Sequence, residues 1–329
     1  MLPHFVLLIH GIGDFKKTGF SRHLPEAIRS AFEAEATRIL GARPADRPDT
    51  EEVWWSDITQ DDQNRLWSRL FPRLGRKSLS IWSWLRAPWT WMPRLRYWAP
   101  VREFVVNYLG DPIAYVESPG TNKYKLIHER VMSYVGSCAN NARSRGATAE
   151  RPALLTVVAH SLGSVIASDL YYDVKNHGRA WPAEIRFANF VTLGSPLAIY
   201  ALRYGLEPRA GATGPLPFSN PIRMDDPDGL WMNIFDPQDV LGYPLKTLND
   251  AYNRAVFADK LINAGQWWNL KHAFFHWNPL SHTLYWDGRT VAKIVGRKVA
   301  LDWLRENHPE LGPRLRQEYV DYQSWVTNG

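Results

Sequence analysis

The chain has 329 residues, 45% of them hydrophobic and 22% charged, with a formal net charge of +6. That composition can bury a sizeable core and excludes a disordered chain. Its one cysteine, Cys138, excludes a disulfide framework or a cysteine-rich zinc site within a single chain and points to a reducing compartment.

No run approaches the roughly 18 apolar residues of a membrane span. Met1-Leu2-Pro3-His4 lacks the basic stretch and small-residue cleavage site of a secretory signal, so a cytoplasmic location is expected. Phe5 to Ile9 is an uninterrupted apolar run ending at Gly11 and Gly13, the mark of a strand buried on both faces. A helix follows, with Pro25 near its start, Leu24, Ile28, Ala31, Phe32 and Ile39 on one stripe, and Gly41 as its stop. Val53-Trp54-Trp55 reads as the next strand. Ala153 to Ala159 is a β-rich run that leads into a helix over Val165 to Tyr172. Ile185 to Leu193 and Leu230 to Phe235 are further strands, and Thr290 to Arg305 is an amphipathic helix that closes the fold. Strands alternating with helices predict a doubly wound, mostly parallel α/β sheet.

Two stretches break this rhythm. Gly205 to Gly229, rich in Gly and Pro, reads as a long loop. The other runs from about 57 to 109, and the expected organisation is a core of 1–56 and 110–329 interrupted by this insertion. Between Asp62 and Glu103 it has no acidic residue, nine Arg or Lys and six of the sixteen tryptophans. Subtracting nine from +6 leaves about −3 for the remainder, so the basicity belongs to the insertion. Three readings stay open. It can be a plain helical cap, a lid touching an anionic membrane surface through Trp and Arg, or a nucleic-acid surface. Nucleic acid is disfavoured because no recognition motif accompanies the charge. Pro72, Pro88, Pro93 and Pro100 cut the stretch into short helices, which suits a lid over a cleft.

The residues that could carry chemistry lie at strand ends. Ala159-His160-Ser161-Leu162-Gly163 sets a serine between a strand and a helix, with small residues two positions away on either side. A sharp strand-to-helix turn requires them, because larger flanks would strike the backbone that projects the serine. His10-Gly11-Ile12-Gly13 ends the first strand, where a backbone N–H can face a substrate carbonyl. An oxyanion hole needs two such donors, and the amides of Ile12 and Leu162 are the candidates. Asp236 and Asp239 follow a later strand, and His282 comes after both. Ser161, then Asp, then His is the chain order of a hydrolase elbow.

On these residues the chain resembles the α/β-hydrolase superfamily, and within it bacterial serine lipases and esterases whose elbow begins with Ala. The resemblance also takes in Leu193-Gly194-Ser195-Pro196, Asp239-Val240 and Ser281-His282. It implies Ser161 as nucleophile, His282 as general base and Asp239 as its orienting acid, acting through an acyl-enzyme on an ester. The substrate it implies is an acyl lipid or other hydrophobic ester, with no cofactor and no metal.

Rival readings remain at each position. Ser161 could be a helix N-cap of a nucleotide-binding fold, although a phosphate site favours glycine at 159. Asp236 is the alternative acid, since both aspartates flank Pro237. His272 and His276 compete with His282; they stand i,i+4, but the Glu of a zinc-binding His-Glu-x-x-His pair is missing. His160 is expected to pack or shape the pocket. The same three residues would serve a thioesterase, amidase or acyltransferase, and a degenerate scaffold that only binds membrane or nucleic acid is the other-class alternative. Oligomeric state is not legible.

Overall fold

In the computed structural model, residues 1–11, 19–70, 115, 122–204, 221–264 and 281–328 are described. They form β1 (His4–Ile9), α1 (Leu24–Leu40), β2 (Asp49–Val53), α2 (Asp57–Leu70), α3 (Lys123–Ser144), β3 (Ala153–His160), α4 (Leu162–Asn176), β4 (Ile185–Leu193), α5 (Leu197–Tyr204), β5 (Trp231–Phe235), α6 (Asp250–Ala255), β6 (Ala258–Leu261), α7 (Arg289–Asn307) and α8 (Gly312–Asn328). The chain divides into two compact units. One comprises Met1–Gly11, Thr18–Val53 and Met132–Gly329, the other Ile12–Lys17 and Trp54–Val131.

The first unit holds a six-stranded sheet in the order β2-β1-β3-β4-β5-β6, parallel throughout. Every residue of β1 and β3 is buried, which explains their near-continuous apolar sequences, interrupted only by His4, Thr156 and His160. Pairing slips between β3 and β4: Leu155 faces Phe187, but Thr156 faces Asn189, so Ala188 bulges out. The bulge puts Phe187 and Phe190 on one face, where the Phe187 ring lies 4.3 Å from Tyr171 of α4. Asn189 turns to the other face and donates to Asp302 of α7 at 2.7 Å. Helices therefore cover both sides, as a doubly wound sheet requires.

Asp302 and Lys298 are both fully buried and paired; Asn189 also donates to Thr156, whose hydroxyl meets His4 Nε2 at 2.9 Å. Burial lowers the His4 pKa to about 4. On the same face α7 crosses α1 closely. A Cβ at Gly296 would come within 2.6 Å of the Ile28 carbonyl, so only glycine permits the crossing.

The predicted elements need several corrections. The second strand is Asp49–Val53 rather than 53–55. It is an edge strand, where polar residues are tolerated, and its Glu52 accepts the amides of Gly19 and Ser21 instead of burying an apolar side chain. The opposite edge, β6, was not foreseen because it reads Ala-Asp-Lys-Leu. α4 starts at Leu162, directly after Ser161, three residues earlier than predicted. α7 does not close the fold: α8 follows, burying Leu315, Tyr322 and Val326. α3 was also not foreseen, although Ile127, Val131, Val135, Cys138 and Ala142 fall on one buried stripe.

The second unit is anchored by Arg130, which spans both carboxylate oxygens of Asp57 at 3.1 Å and donates to the Trp54 carbonyl. Tyr115 and His128 share a buried hydrogen bond of 2.9 Å. Of the basic, Trp-rich stretch, 57–70 is helical, and 71–109 lies outside the described residues. Of the loop read over 205–229, only 221–229 is described, and it holds no helix or strand.

Candidate active site

Ser161 occupies the turn between β3 and α4, with φ 53° and ψ −130°. A side chain in this left-handed region costs on the order of 1–3 kcal/mol, so surrounding structure must impose it. The constraints are visible. The Ser161 amide donates to the Leu193 carbonyl at the end of β4 (2.9 Å), and its own carbonyl receives Ser164 N–H and Ser164 O–H at 2.9 and 2.6 Å. Ser195 completes a relay: Leu197 N–H donates to Ser195 Oγ, leaving that hydroxyl to donate to Ser164 Oγ at 2.7 Å. Leu193-Gly194-Ser195-Pro196 thus braces the elbow from the neighbouring strand.

Two glycines make the turn sterically possible. A Cβ at Gly163 would stand 2.5 Å from the His10 carbonyl oxygen, and one at Gly11 would stand 2.4 Å from Ser161 Cβ. Ala159, paired with Ile9 and Thr192 in the sheet, is fully buried and meets the same demand for smallness as the last small residue of β3. His10 is buried and donates from Nδ1 to the Gly11 carbonyl at 2.7 Å, which fixes the chain leaving β1. Ile12 and Gly13 lie outside the described residues, as do His272 and His276. The Leu162 amide opens α4, where a backbone N–H has no partner within its helix.

The histidine and the acid arrive from later segments. His282, in the short 3-10 turn Ser281–Thr283, places Nε2 2.8 Å from Ser161 Oγ. Its Nδ1 stands 2.9 Å from each carboxylate oxygen of Asp239. All three side chains are buried. Asp239 Oδ1 also accepts Leu241 N–H, and Oδ2 accepts the Tyr285 hydroxyl, each near 2.9 Å. Burial alone would raise the Asp239 carboxyl; the hydrogen bond and charge of His282, with those two further donors, outweigh it and hold the carboxyl below its usual range. Gly194 and Gly242 leave the room: a Cβ at either would come within 2.8 Å of Asp239 Oδ2.

Asp236, the alternative acid, faces elsewhere. Its carboxylate accepts Gln238 N–H at 2.8 Å and Ala264 N–H at 2.7 Å, closing the loop after β5. His160 Nε2 donates to the His282 carbonyl at 2.5 Å, and its ring centroid lies 4.7 Å from that of His282. Burial, then the nearby charge of His282, lowers the His160 pKa to about 3, so the ring stays neutral.

The structure therefore joins Ser161, His282 and Asp239 in one hydrogen-bonded chain, with Gly11 against the serine and Asp236 apart. Sequence reading gave no role to Tyr285, Ser164 or Gly242, and matched Gly194 and Ser195 only as part of the Leu193–Pro196 motif, without a role. For Tyr285 and Gly242 the signal was nearness in the chain to His282 and Asp239. Among the described residues no group of three or more His, Cys, Asp or Glu could hold a metal ion, and no helix is long and apolar enough to cross a membrane.

A parallel sheet in this order, with a serine on a strained turn from a central strand into a helix, is the α/β-hydrolase fold. No protein-family model matches the chain, and no curated protein matches it. Among solved structures it is similar to a Xanthomonas campestris pv. campestris protein provisionally described as a hydrolase of the alpha/beta superfamily. The two share 14% identity over 92% of this chain and 98% of that one, with a TM-score of 0.33. The likeness is too distant to carry chemistry from one chain to the other.

Proposed function

We propose that the protein is a serine hydrolase of carboxylic esters, acting on acyl lipids or other hydrophobic esters without a cofactor. The observation that carries this reading is the Asp239–His282–Ser161 chain, with contacts of 2.9 and 2.8 Å, on a backbone turn strained to present the serine.

In this reading Ser161 Oγ attacks the ester carbonyl carbon while its proton passes to His282 Nε2. The tetrahedral oxyanion takes a hydrogen bond from the Leu162 amide; Ile12, the other donor expected from the sequence, lies outside the described residues. It collapses to the acyl-enzyme as the C–O bond to the alcohol breaks and His282 returns the proton to the leaving oxygen. Water, deprotonated by His282, attacks the acyl carbon; the C–O bond to Ser161 breaks and the proton returns to Oγ. Asp239 keeps the Nδ1 proton in place and stabilises the imidazolium in both halves.

The hydrophobic substrate follows from the resemblance of the Ser161 elbow to lipases and esterases; beside the acid, Val240, next to Asp239 in the chain, leaves an apolar side chain 54% exposed. The basic, Trp-rich stretch 57–109 adds a contact suited to anionic membrane, where rings and cations both gain at the headgroups.

Labelling with a fluorophosphonate probe, alongside p-nitrophenyl ester turnover across acyl-chain lengths, tests the reading. Wild type should label and turn over longer chains faster, and Ser161→Ala should do neither. Full turnover in Ser161→Ala would end it. Preference for thioester or amide substrates over esters at equal chain length would move the activity to another hydrolase class with the same residues.

A further inference from the structure

Asp239 is held by more than His282. The Tyr285 hydroxyl lies 2.8 Å from Asp239 Oδ2 and 2.8 Å from the Asp236 amide nitrogen. A backbone N–H can only donate, so the hydroxyl oxygen accepts from Asp236 and its proton is committed to Asp239. Tyr285 is fully buried in the 3-10 turn Tyr285–Asp287, two residues past the His282 turn. One short segment therefore delivers both the imidazole and the hydroxyl that grips its partner. The Asp236 amide follows directly on β5, which ties that hydroxyl to the sheet.

Space is tailored to this contact. A Cβ at Gly194 would meet Asp239 Oδ2 at 2.6 Å and the Tyr285 ring at 2.7 Å. The Tyr285 ring centroid lies 5.7 Å from that of His160, whose Nε2 holds the His282 carbonyl. The titratable groups facing the pair are thus His282, His160 and Asp236, and among the described residues no Lys or Arg is ion-paired to Asp239. In that setting the Tyr285 hydroxyl and the Leu241 amide, both neutral, share the carboxylate charge with His282, and the hydroxyl is the side-chain donor of the two.

We infer that Tyr285 is a positioning residue for the Asp239–His282–Ser161 chain. Its hydroxyl fixes the carboxylate against the imidazole and sets how much negative charge reaches it. This rests on the ester-hydrolase reading above. Burial and the Asp239 charge both push the Tyr285 hydroxyl well above its ordinary range, so it stays a donor at working pH.

The test uses the full chain as wild type, Ser161→Ala and Tyr285→Phe, with active sites counted by fluorophosphonate titration. Tyr285→Phe should lose about 10- to 100-fold in kcat per labelled site with KM within about two-fold, the signature of lost alignment rather than lost binding. Without the hydroxyl Asp239 presents more charge to the imidazole and favours its protonated form. The acidic limb of the kcat/KM profile should therefore move to higher pH, which a merely structural role would not produce. Wild-type kcat per site with an unmoved limb overturns the inference and leaves the ester-hydrolase reading intact. Retained labelling in Ser161→Ala sinks that reading instead. If Tyr285→Phe fails to fold, 3-fluorotyrosine at 285 keeps ring and hydroxyl but strengthens the donor, and must move the limb to lower pH. An unmoved limb in that folded, labelled protein also overturns the inference.

Discussion

Replacing Ser161 by Gly and by Ala separates the strain of the elbow from the chemistry of the serine. Both variants lose the hydroxyl and its bond to His282 equally, so both should be inactive and that loss cancels between them. They differ in Cβ alone. With φ at 53° and ψ at −130°, a residue with Cβ carries about 2 kcal/mol of strain that glycine does not. Against this, glycine gives up about 0.7 kcal/mol to the entropy of the unfolded chain and about 0.8 kcal/mol of buried carbon. The balance is about 0.5 kcal/mol in favour of Ser161→Gly. At an unstrained buried position the order reverses, with glycine about 1.5 kcal/mol the weaker. Urea unfolding of the two variants, with thermal midpoints in support, reads a contrast worth about 2–4 °C per kcal/mol. A Ser161→Gly variant that unfolds about 1.5 kcal/mol more easily than Ser161→Ala would refute the claim that the turn stores strain.

Three further outcomes are expected. Asp239→Asn presents an amide to His282 Nδ1 and disfavours the tautomer that accepts the serine proton, so turnover should fall by about 10⁴. Asp236→Asn should cost about 1–2 kcal/mol of stability through its loop amides yet keep most turnover; the reverse ranking in steady-state assays would make Asp236 the acid. The native state keeps His160 and His4 neutral, with pKa values lowered from 6.5 to about 3 and about 4, so below pH 6.5 the unfolded chain binds protons that the native chain does not. Their contribution is complete above pH 6.5 and is lost as pH falls to about 4 for His4 and about 3 for His160. The urea midpoint should decline over that window, and His160→Gln, which keeps a donor, should flatten the slope; an unchanged slope would show that His160 does not drive it.

The sequence by itself determined the doubly wound core, because strands buried on both faces must be written in near-continuous apolar residues, here broken only by Thr156, Arg186, Asn189 and Thr192. Phe5–Ile9, Ala153–Ala159 and Ile185–Leu193 could be read almost to the residue for that reason. It also determined the Ser161 turn, since steric demands at a strand-to-helix corner act between chain neighbours and leave small residues at 159 and 163. The edge strands β2 and β6 escaped because an edge is half solvated and imposes no apolar pattern. Only the tertiary structure decided between Asp236 and Asp239 as the partner of His282. Both follow the same strand three residues apart, and the loop's hydrogen bonds turn one inward to its own amides and the other to the imidazole. Tyr285 and Gly194 belong to the same category: their roles are contacts between segments 45 to 91 residues apart that meet at the ends of neighbouring strands. No local pattern records such a meeting, because the physical constraint acts through space and not along the chain.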